Sequence, residues 1–414
     1  MLNKLAFLMF IFFTPFLSFG FTTDTIQNKV DYKLVFIEIC SIIDSNYYDK
    51  EFVETKFKLI KKEFGDKLDT ISSSQSFSAH INNMLSLFKA SHTKYYTKDD
   101  YAYYHYASIF YFLPSVQEIF NNKPVEYPSI GIITENFGQK TFIVSVLPGT
   151  IAEKSGLLVG DEIISADGKN YEHILLLDTI DKPLKLQIRR KEDLPILSFE
   201  ITPIKTNPKK EMLDAQNNSI RIIETEGFKI GYIHIWSYAG SEYQQAFIDA
   251  IAFGKLEQAD ALVYDIRYGF GGASSNYLNV FNKNVPKLIM TDRNGNNMGY
   301  DTQWRKPVVM LVNHSVRSGK EILAFGFKKY KIGTIIGEKT SGATLGGMLF
   351  TLSNKDILYL ATAKTSIDGI NLEGTGVQPD IFVLSDIKYC AGKDNQQKKA
   401  LEYLLSILKE NNHQ

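Results

Sequence analysis

The 414-residue chain has only two cysteines, Cys40 and Cys390, no net charge and no metal-binding signature. Two cysteines make no disulfide framework. Cys40 falls on an apolar helical stripe, which favours a buried free thiol over a Cys40–Cys390 bridge, although an exported chain would permit one. Lys and Arg together number 46 and so do Asp and Glu, so no global field draws the chain to nucleic acid or anionic lipid. Lysine pairs such as Lys61-Lys62 and Lys209-Lys210 read as solvated surface. Apart from His92, the histidines (His80, His105, His173, His234, His314 and His413) show no metal-ligand spacing, and no phosphate-binding or dinucleotide fingerprint occurs. Repeats and low-complexity segments are absent, and no run after the first twenty residues is long and apolar enough to span a membrane.

What is present begins with residues 1–20. Lys4 gives a positive start, residues 5–17 are almost wholly apolar, and Ser18-Phe19-Gly20 places small residues at −3 and −1 of a cleavage site. That is the layout of a secretory signal peptide, with an uncleaved anchor as the alternative. No cysteine follows the run, which argues against a lipoprotein anchor.

With 44% hydrophobic and 22% charged residues, the whole chain has ordinary globular composition and length for two or three domains. Residues 21–127 read as a helical region. Phe36, Ile39, Cys40 and Ile43 recur at i, i+3, i+4, i+7; Val53, Phe57, Ile60 and Phe64 repeat the pattern. A third helix runs through Phe77, Ile81, Met84, Leu85 and Phe88, with N-caps offered by the serines of 72–76. The tyrosine-rich stretch 95–111 has no clean period and reads as irregular, packed structure. Residues 128–204 turn to short β-rich runs, 205–220 read as a polar linker, and 221–390 alternate strand and helix, which predicts a mainly parallel sheet covered on both faces. Residues 391–414 read as a C-terminal helix.

Ser318 sits where a helix follows the apolar strand 308–312, so its hydroxyl meets the positive end of a helix dipole. Alone, this describes an N-cap as well as a nucleophile. The run Tyr264-Asp265-Ile266-Arg267-Tyr268-Gly269-Phe270-Gly271-Gly272 takes a buried strand into a glycine-rich turn, whose amides can approach a ligand. Arg317 and Lys320 flank Ser318; they read as solvent-facing, with binding of a substrate carboxylate as the alternative.

In 128–204, the run Leu147-Pro148-Gly149-Thr150-Ile151-Ala152-Glu153-Lys154-Ser155-Gly156-Leu157 followed by Gly160-Asp161 resembles a PDZ domain. The resemblance puts Ser129, Ile130, Gly131 and Ile132 where such a domain captures a peptide's terminal carboxylate and adds the peptide as a strand; a small β-domain without ligand is the alternative. Downstream, Ile230-Gly231-Tyr232-Ile233, the 259–272 run, Ser318 three before Glu321, Gly337-Glu338-Lys339-Thr340-Ser341-Gly342 and Glu373-Gly374-Thr375-Gly376-Val377-Gln378-Pro379-Asp380 occur in one order. Together they resemble the C-terminal processing (tail-specific) serine peptidases. That resemblance implies a multidomain α/β protein with a crotonase-like α/β catalytic core and Ser318 as nucleophile.

One departure sets the mechanism. Members with a Ser–Lys dyad carry lysine directly after the segment matching Thr340-Ser341-Gly342; here Ala343 follows, and its methyl accepts no proton. Ser91-His92-Thr93 resembles instead the Ser–His pair of the tricorn-protease core, and Glu373 matches that site's glutamate. The resemblance therefore implies a tetrad of Ser318, base His92, and Glu373 with Ser91 supporting the imidazole. Oxyanion donors would be the amides of Gly271 (or its neighbour Gly272) and Gly319. As singlets, His92 reads as a helix C-terminal histidine and Glu373 as a surface carboxylate. An imidazole titrating near ~6.5 predicts activity rising through that pH, with a flat profile from about 5 to 8 counting against His92. The expected function is an exported, periplasmic or extracellular endopeptidase without metal or cofactor. It would hold protein C-terminal tails in the PDZ domain and cleave them through an acyl-enzyme. An oligomer or an adaptor lipoprotein would be its other partners, and nucleic acid would not. The rivals are an inactive peptide-binding relative and a hydrolase of small esters or amides.

Overall fold

The computed structural model describes residues 30–412, so the leader-like segment 1–20 lies outside the described residues. Helix Tyr32–Asn46 buries Val35, Phe36, Ile39, Cys40 and Ile43 along one stripe. The second apolar repeat is helical over Lys50–Phe52 and Lys58–Gly65, with a π-helical turn Val53–Phe57 between them. Helix Ser74–Ser86 opens on a reciprocal Ser73–Ser76 capping box, which pairs amides that have no partner within the helix. These helices share a core with Leu358, Leu360 and Ala361 of strand Ile357–Ala363.

That packing sets the path of the next segment. Strand Lys94–Tyr96 pairs antiparallel with Ile357–Ala363, Lys94 opposite Tyr359, and so carries Ser91 and His92 into the main domain. The stretch expected to be irregular is instead this strand and helix Tyr101–Ile109, which buries Tyr103, Tyr104, His105, Tyr106 and Ala107. A helix buried on most of its surface leaves no single apolar face for periodicity to reveal.

Between Ile132 and Ile201 five antiparallel strands form a separate sheet in simple sequence order. Ile143, Ala152, Leu157, Leu186 and Ile188 fill its core. Strand Tyr127–Ser129 pairs with Ile204–Thr206 at its base. The expected linker 205–220 is in fact structured: Asn207 caps helix Pro208–Ser219, accepting from the Lys210 amide at 3.0 Å. Polar composition misled because Gln216 and Ser219 are buried and hydrogen-bonded, Gln216 Nε2 donating to the Tyr243 carbonyl at 2.8 Å.

The main sheet has six strands in the order Ile381–Phe382, Thr334–Gly337, Val308–Val312, Ala261–Asp265, Phe228–His234, Arg221–Thr225, all parallel except the last. Alternation sorts its side chains. Val263, Val309 and Leu311 meet Ala400, Leu404 and Leu408 of helix Asn395–Asn412. Leu262, Tyr264, Met310 and Val312 join Phe247, Leu323 and Phe327 of helices Ser241–Ala252 and Gly319–Lys329 on the other face. Loops at the carboxyl ends of parallel strands are where such sheets bind ligands, and both glycine-rich and Ser318 loops lie there. Cys40 and Cys390 are both free; burial pushes the Cys40 thiol up to about 12. Among the described residues, no helix is long and apolar enough to cross a membrane.

Candidate active site

The buried strand Val308–Val312 delivers the chain into a tight turn ending at Ser318, at the mouth of helix Gly319–Lys329. Ser318 has φ 56° and ψ −132°, a backbone state that costs a non-glycine residue about 1–3 kcal/mol. The surroundings impose it. Ser318's amide donates to the Ala343 carbonyl at 2.8 Å, and the Ala343 loop is clamped from below by Glu321. That carboxylate, fully buried, accepts from Thr340 Oγ1 (2.6 Å) and from the amides of Gly342 and Ala343 (each 2.7 Å). Strand, helix and loop thus hold the serine in a bent presentation rather than as a cap: its side chain makes no capping hydrogen bond.

The same loop reaches the second half of the site. Thr344 and Leu345 donate their amides to Glu373 Oε2 at 2.7 and 3.1 Å. Glu373 also takes the Ser91 amide (2.9 Å, on Oε1) and the Ser91 hydroxyl (2.9 Å, on Oε2). Ser91 Oγ lies 2.8 Å from His92 Nδ1. A serine hydroxyl has one proton, and here it points at Glu373, so Ser91 Oγ must accept from His92 Nδ1–H. The donor count thereby fixes the tautomer and leaves Nε2 as the ring's basic end. Among the described residues, neither His92 Nε2 nor Ser318 Oγ has a hydrogen-bond partner within the chain, and they do not bond to each other. Ser318, His92, Ser91 and Glu373 are therefore joined through the 343–345 loop, with Ser318 Oγ and His92 Nε2 unbonded. Catalytic contacts are commonly loose before substrate arrives.

Burial, and then the nearby Arg317 charge, push the His92 imidazole down to about 4 against the opposing pull of Glu373. The pH expectation changes with it. A ring already neutral above about pH 4 gives a flat profile from 5 to 8, so flatness there no longer counts against His92. His314, the other nearby imidazole, differs: hydrogen bonds to Glu135 and Glu338 hold its proton up to about 10.

The glycine turn packs directly on the serine. A Cβ on Gly271 would stand 2.7 Å from Ser318 Cβ, whereas one on Gly272 would strike Ala239 instead. The amides of Gly271 and Gly319 make no hydrogen bond within the chain among the described residues. Two flanking residues correct the solvent reading. Lys320 is 1% exposed, its Nζ donating to the carbonyls of Trp236 (2.9 Å) and Tyr268 (2.7 Å), on either side of the turn's attachment; burial holds its pKa well below the ordinary lysine range. Arg317 is half-buried against the Phe270 ring. A long polar side chain gives no local sign of which way it folds, so sequence missed both.

The sequence model of peptidase family S41 matches residues 229–383, which hold the sheet's five parallel strands but for Phe228, the glycine turn, Ser318 and Glu373, and leave out the antiparallel edge strand Arg221–Thr225. Residues 229–383 are a peptidase family S41 domain. The carboxyl-terminal-processing protease of Synechocystis sp. is 26% identical over 278 residues, 63% of this chain and 64% of that protein. The tricorn protease homolog of Saccharolobus solfataricus is 28% identical over 280 residues, 61% of this chain and 24% of that protein. Aligned regions thus span under two thirds of these relatives' own length. The crystal structure of the tricorn protease aligns with 92% of this chain and 37% of its own at a TM-score of 0.56 and 18% identity, a likeness of fold. His92 and Ser91 lie outside the matched S41 domain, and the strand pairing at Lys94–Tyr96 brings them to it.

Beside the small sheet, a cavity of about 630 Å³ is lined by Ser129, Ile130, Ile132 and Ile133 on one side and by His173, Ile174 and Leu176 on another. Strand Ile132–Phe137 is the sheet's edge. Gly131 has φ 84°, and its amide donates to Ser129 Oγ at 2.9 Å. A Cβ there would collide with Thr150, so only glycine fits the turn.

Proposed function

We propose that the chain is a serine endopeptidase that cuts proteins near their C-terminal tails through an acyl-enzyme. The observation that carries this reading is the hydrogen-bonded run Glu373–Ser91–His92, tied to the Ser318 loop through Ala343 and Thr344. Ser318 Oγ attacks the scissile carbonyl carbon while its proton passes to His92 Nε2. Ser91 and Glu373 stabilise the imidazolium through Nδ1. The oxyanion of the tetrahedral intermediate takes the amides of Gly271 and Gly319. Collapse expels the amine with the proton from Nε2 and leaves the acyl-serine; water, deprotonated by the same nitrogen, releases the new carboxyl terminus and restores Ser318. Loss of the dyad lysine at Ala343 is then a change of base rather than a loss of activity.

The five-stranded domain we read as PDZ-like and the S41 domain as a crotonase-like core. The edge strand Ile132–Phe137 and its adjoining cavity suit a tail added as an extra strand, with the 129–132 turn at its carboxylate. The leader-like residues 1–20 support export to the periplasm or beyond.

The test is cleavage of an unfolded protein with an apolar C-terminal tail by wild type, Ser318→Ala, His92→Ala and Ala343→Lys. Loss of at least about 10³-fold in kcat for the first two, at unchanged melting temperature, is the expected result. A wild type that binds the tail yet never cuts it would make the chain a peptide-binding module.

A further inference from the structure

Arginines that fold inward in this chain meet carboxylates. Arg189 pairs with Glu162, Arg190 with Asp161, Arg267 with Asp265 and Asp394, and Arg305 with Asp301. Arg317 is half-buried as well, yet among the described residues no carboxylate pairs with it. Its neighbours are rings. The guanidinium carbon stands 5.5 Å from the centroid of Phe270, the residue before Gly271. Its charge also acts on Tyr96, Tyr106 and Tyr359. Those rings form one cluster, with centroids 5.2 Å apart for Tyr96–Tyr106, 4.4 Å for Tyr106–Tyr359 and 5.6 Å for Tyr106–Phe270. Tyr359 lies 5.2 Å from the His92 ring.

A guanidinium removed from water without an anion is costly, and ring faces offset only part of that cost. They also leave its planar fork of N–H donors unused, a geometry that matches a carboxylate. The residue adjoining the nucleophile, on the ring adjoining the glycine turn, thus keeps its guanidinium donors among aromatic rings.

We infer that Arg317 forms an anionic subsite beside the scissile bond, which takes a substrate carboxylate: an Asp or Glu side chain flanking the cut, or the chain-terminal carboxylate itself. The inference rests on the peptidase reading of Ser318. It deepens that reading by naming what the substrate must carry next to the bond that breaks.

Matched peptides test it: one with glutamate at each position flanking the cut in turn, its glutamine counterpart, and C-terminally amidated copies of both. Wild type, Ser318→Ala, Arg317→Gln, Arg317→Lys and Arg317→Glu are compared by kcat/KM. Wild type is expected to favour the carboxylate-bearing peptide by about 10- to 100-fold, the range of a charge-assisted hydrogen bond. Arg317→Gln should erase that preference, Arg317→Lys keep part of it, and Arg317→Glu turn selection toward Lys or Arg. Sensitivity to glutamine assigns the side-chain source, and sensitivity to amidation the terminal one. Ser318-dependent cleavage that is indifferent to both changes overturns the inference alone. Absence of Ser318-dependent cleavage overturns the peptidase reading and the inference with it. Should Arg317→Gln fail to fold, the wild-type discrimination and the Arg317→Lys variant still decide.

Discussion

Arg267 and Arg317 stand on the loops that follow neighbouring strands, Ala261–Asp265 and Val308–Val312, yet their surroundings are opposite in kind. Arg267 is 6% exposed and saturated: it meets Asp265, Asp394 and Gln396, and so ties helix Asn395–Asn412 to the sheet. Burial works against the Asp265 charge, but Arg267 outweighs it and holds that carboxyl below the usual range. Arg317 has rings and no anion. Between them lies Lys320, buried but satisfied by carbonyls rather than carboxylates. The difference separates roles. A cation whose donors are all met by the protein holds the fold together, whereas one whose donors are left over has them available for an anion from outside the fold.

The largest effect is expected where compensation is complete. Arg267→Met leaves the fully buried Asp265, at 0% exposure, and the half-buried Asp394 without their cation. Breaking a buried pair from one side costs about 3–5 kcal/mol, so urea or thermal unfolding should show a severe loss, with activity lost alongside. An unchanged melting temperature would mean that the cluster is not structural. Lys320→Met comes next. It strands the Tyr268 carbonyl, at about 1–3 kcal/mol for an unsatisfied buried acceptor, while the Trp236 carbonyl keeps the Phe270 amide at 2.7 Å; the loss is partly offset by no longer burying an ammonium. Its more telling effect is on the turn that carries Gly271: kcat should fall about tenfold or more with KM nearly unchanged, since only the reaction's oxyanion would feel the loosened amide. A raised KM at unchanged kcat would assign Lys320 to substrate binding instead.

How much of this was legible in sequence follows the range of the forces involved. Ser318 and Gly271 each lie in a short run whose local chemistry announces a helix mouth or a turn, whereas Glu373 by itself reads as a surface carboxylate and is singled out only by resemblance. His92 was legible only by resemblance, since its partner Glu373 is remote in the chain and nothing near Ser91 marks the link. Helix Pro208–Ser219 was missed because its inward face is partly polar, Gln216 and Ser219 included. Arg317 and Lys320 were misread for a related reason. Whether a long cation reaches water or folds under its own loop depends on Phe270, Trp236 and Tyr268, residues some fifty to eighty positions earlier. Composition records the charge, and only the fold records its partner.

The smallest effect on stability, and the sharpest on mechanism, should come from Arg317→Gln. Arg317 makes no ion pair, so its loss should change unfolding free energy by no more than about 1 kcal/mol. Its charge nevertheless helps keep the His92 imidazole down to about 4, after burial and against Glu373. A neighbouring cation disfavours the imidazolium, so removing it raises the His92 pKa. The acid limb of kcat/KM, expected near pH 4 in the wild type because the base must be unprotonated, should then move to higher pH in the variant. It should stay below ~6.5, since burial still disfavours the charged ring. Arg317→Lys, which keeps the charge, should leave the limb near its wild-type place. A pin that merely held Tyr106 against Phe270 would lower activity at every pH without moving the limb, so a stationary limb in Arg317→Gln would mean that the Arg317 charge does not act on His92.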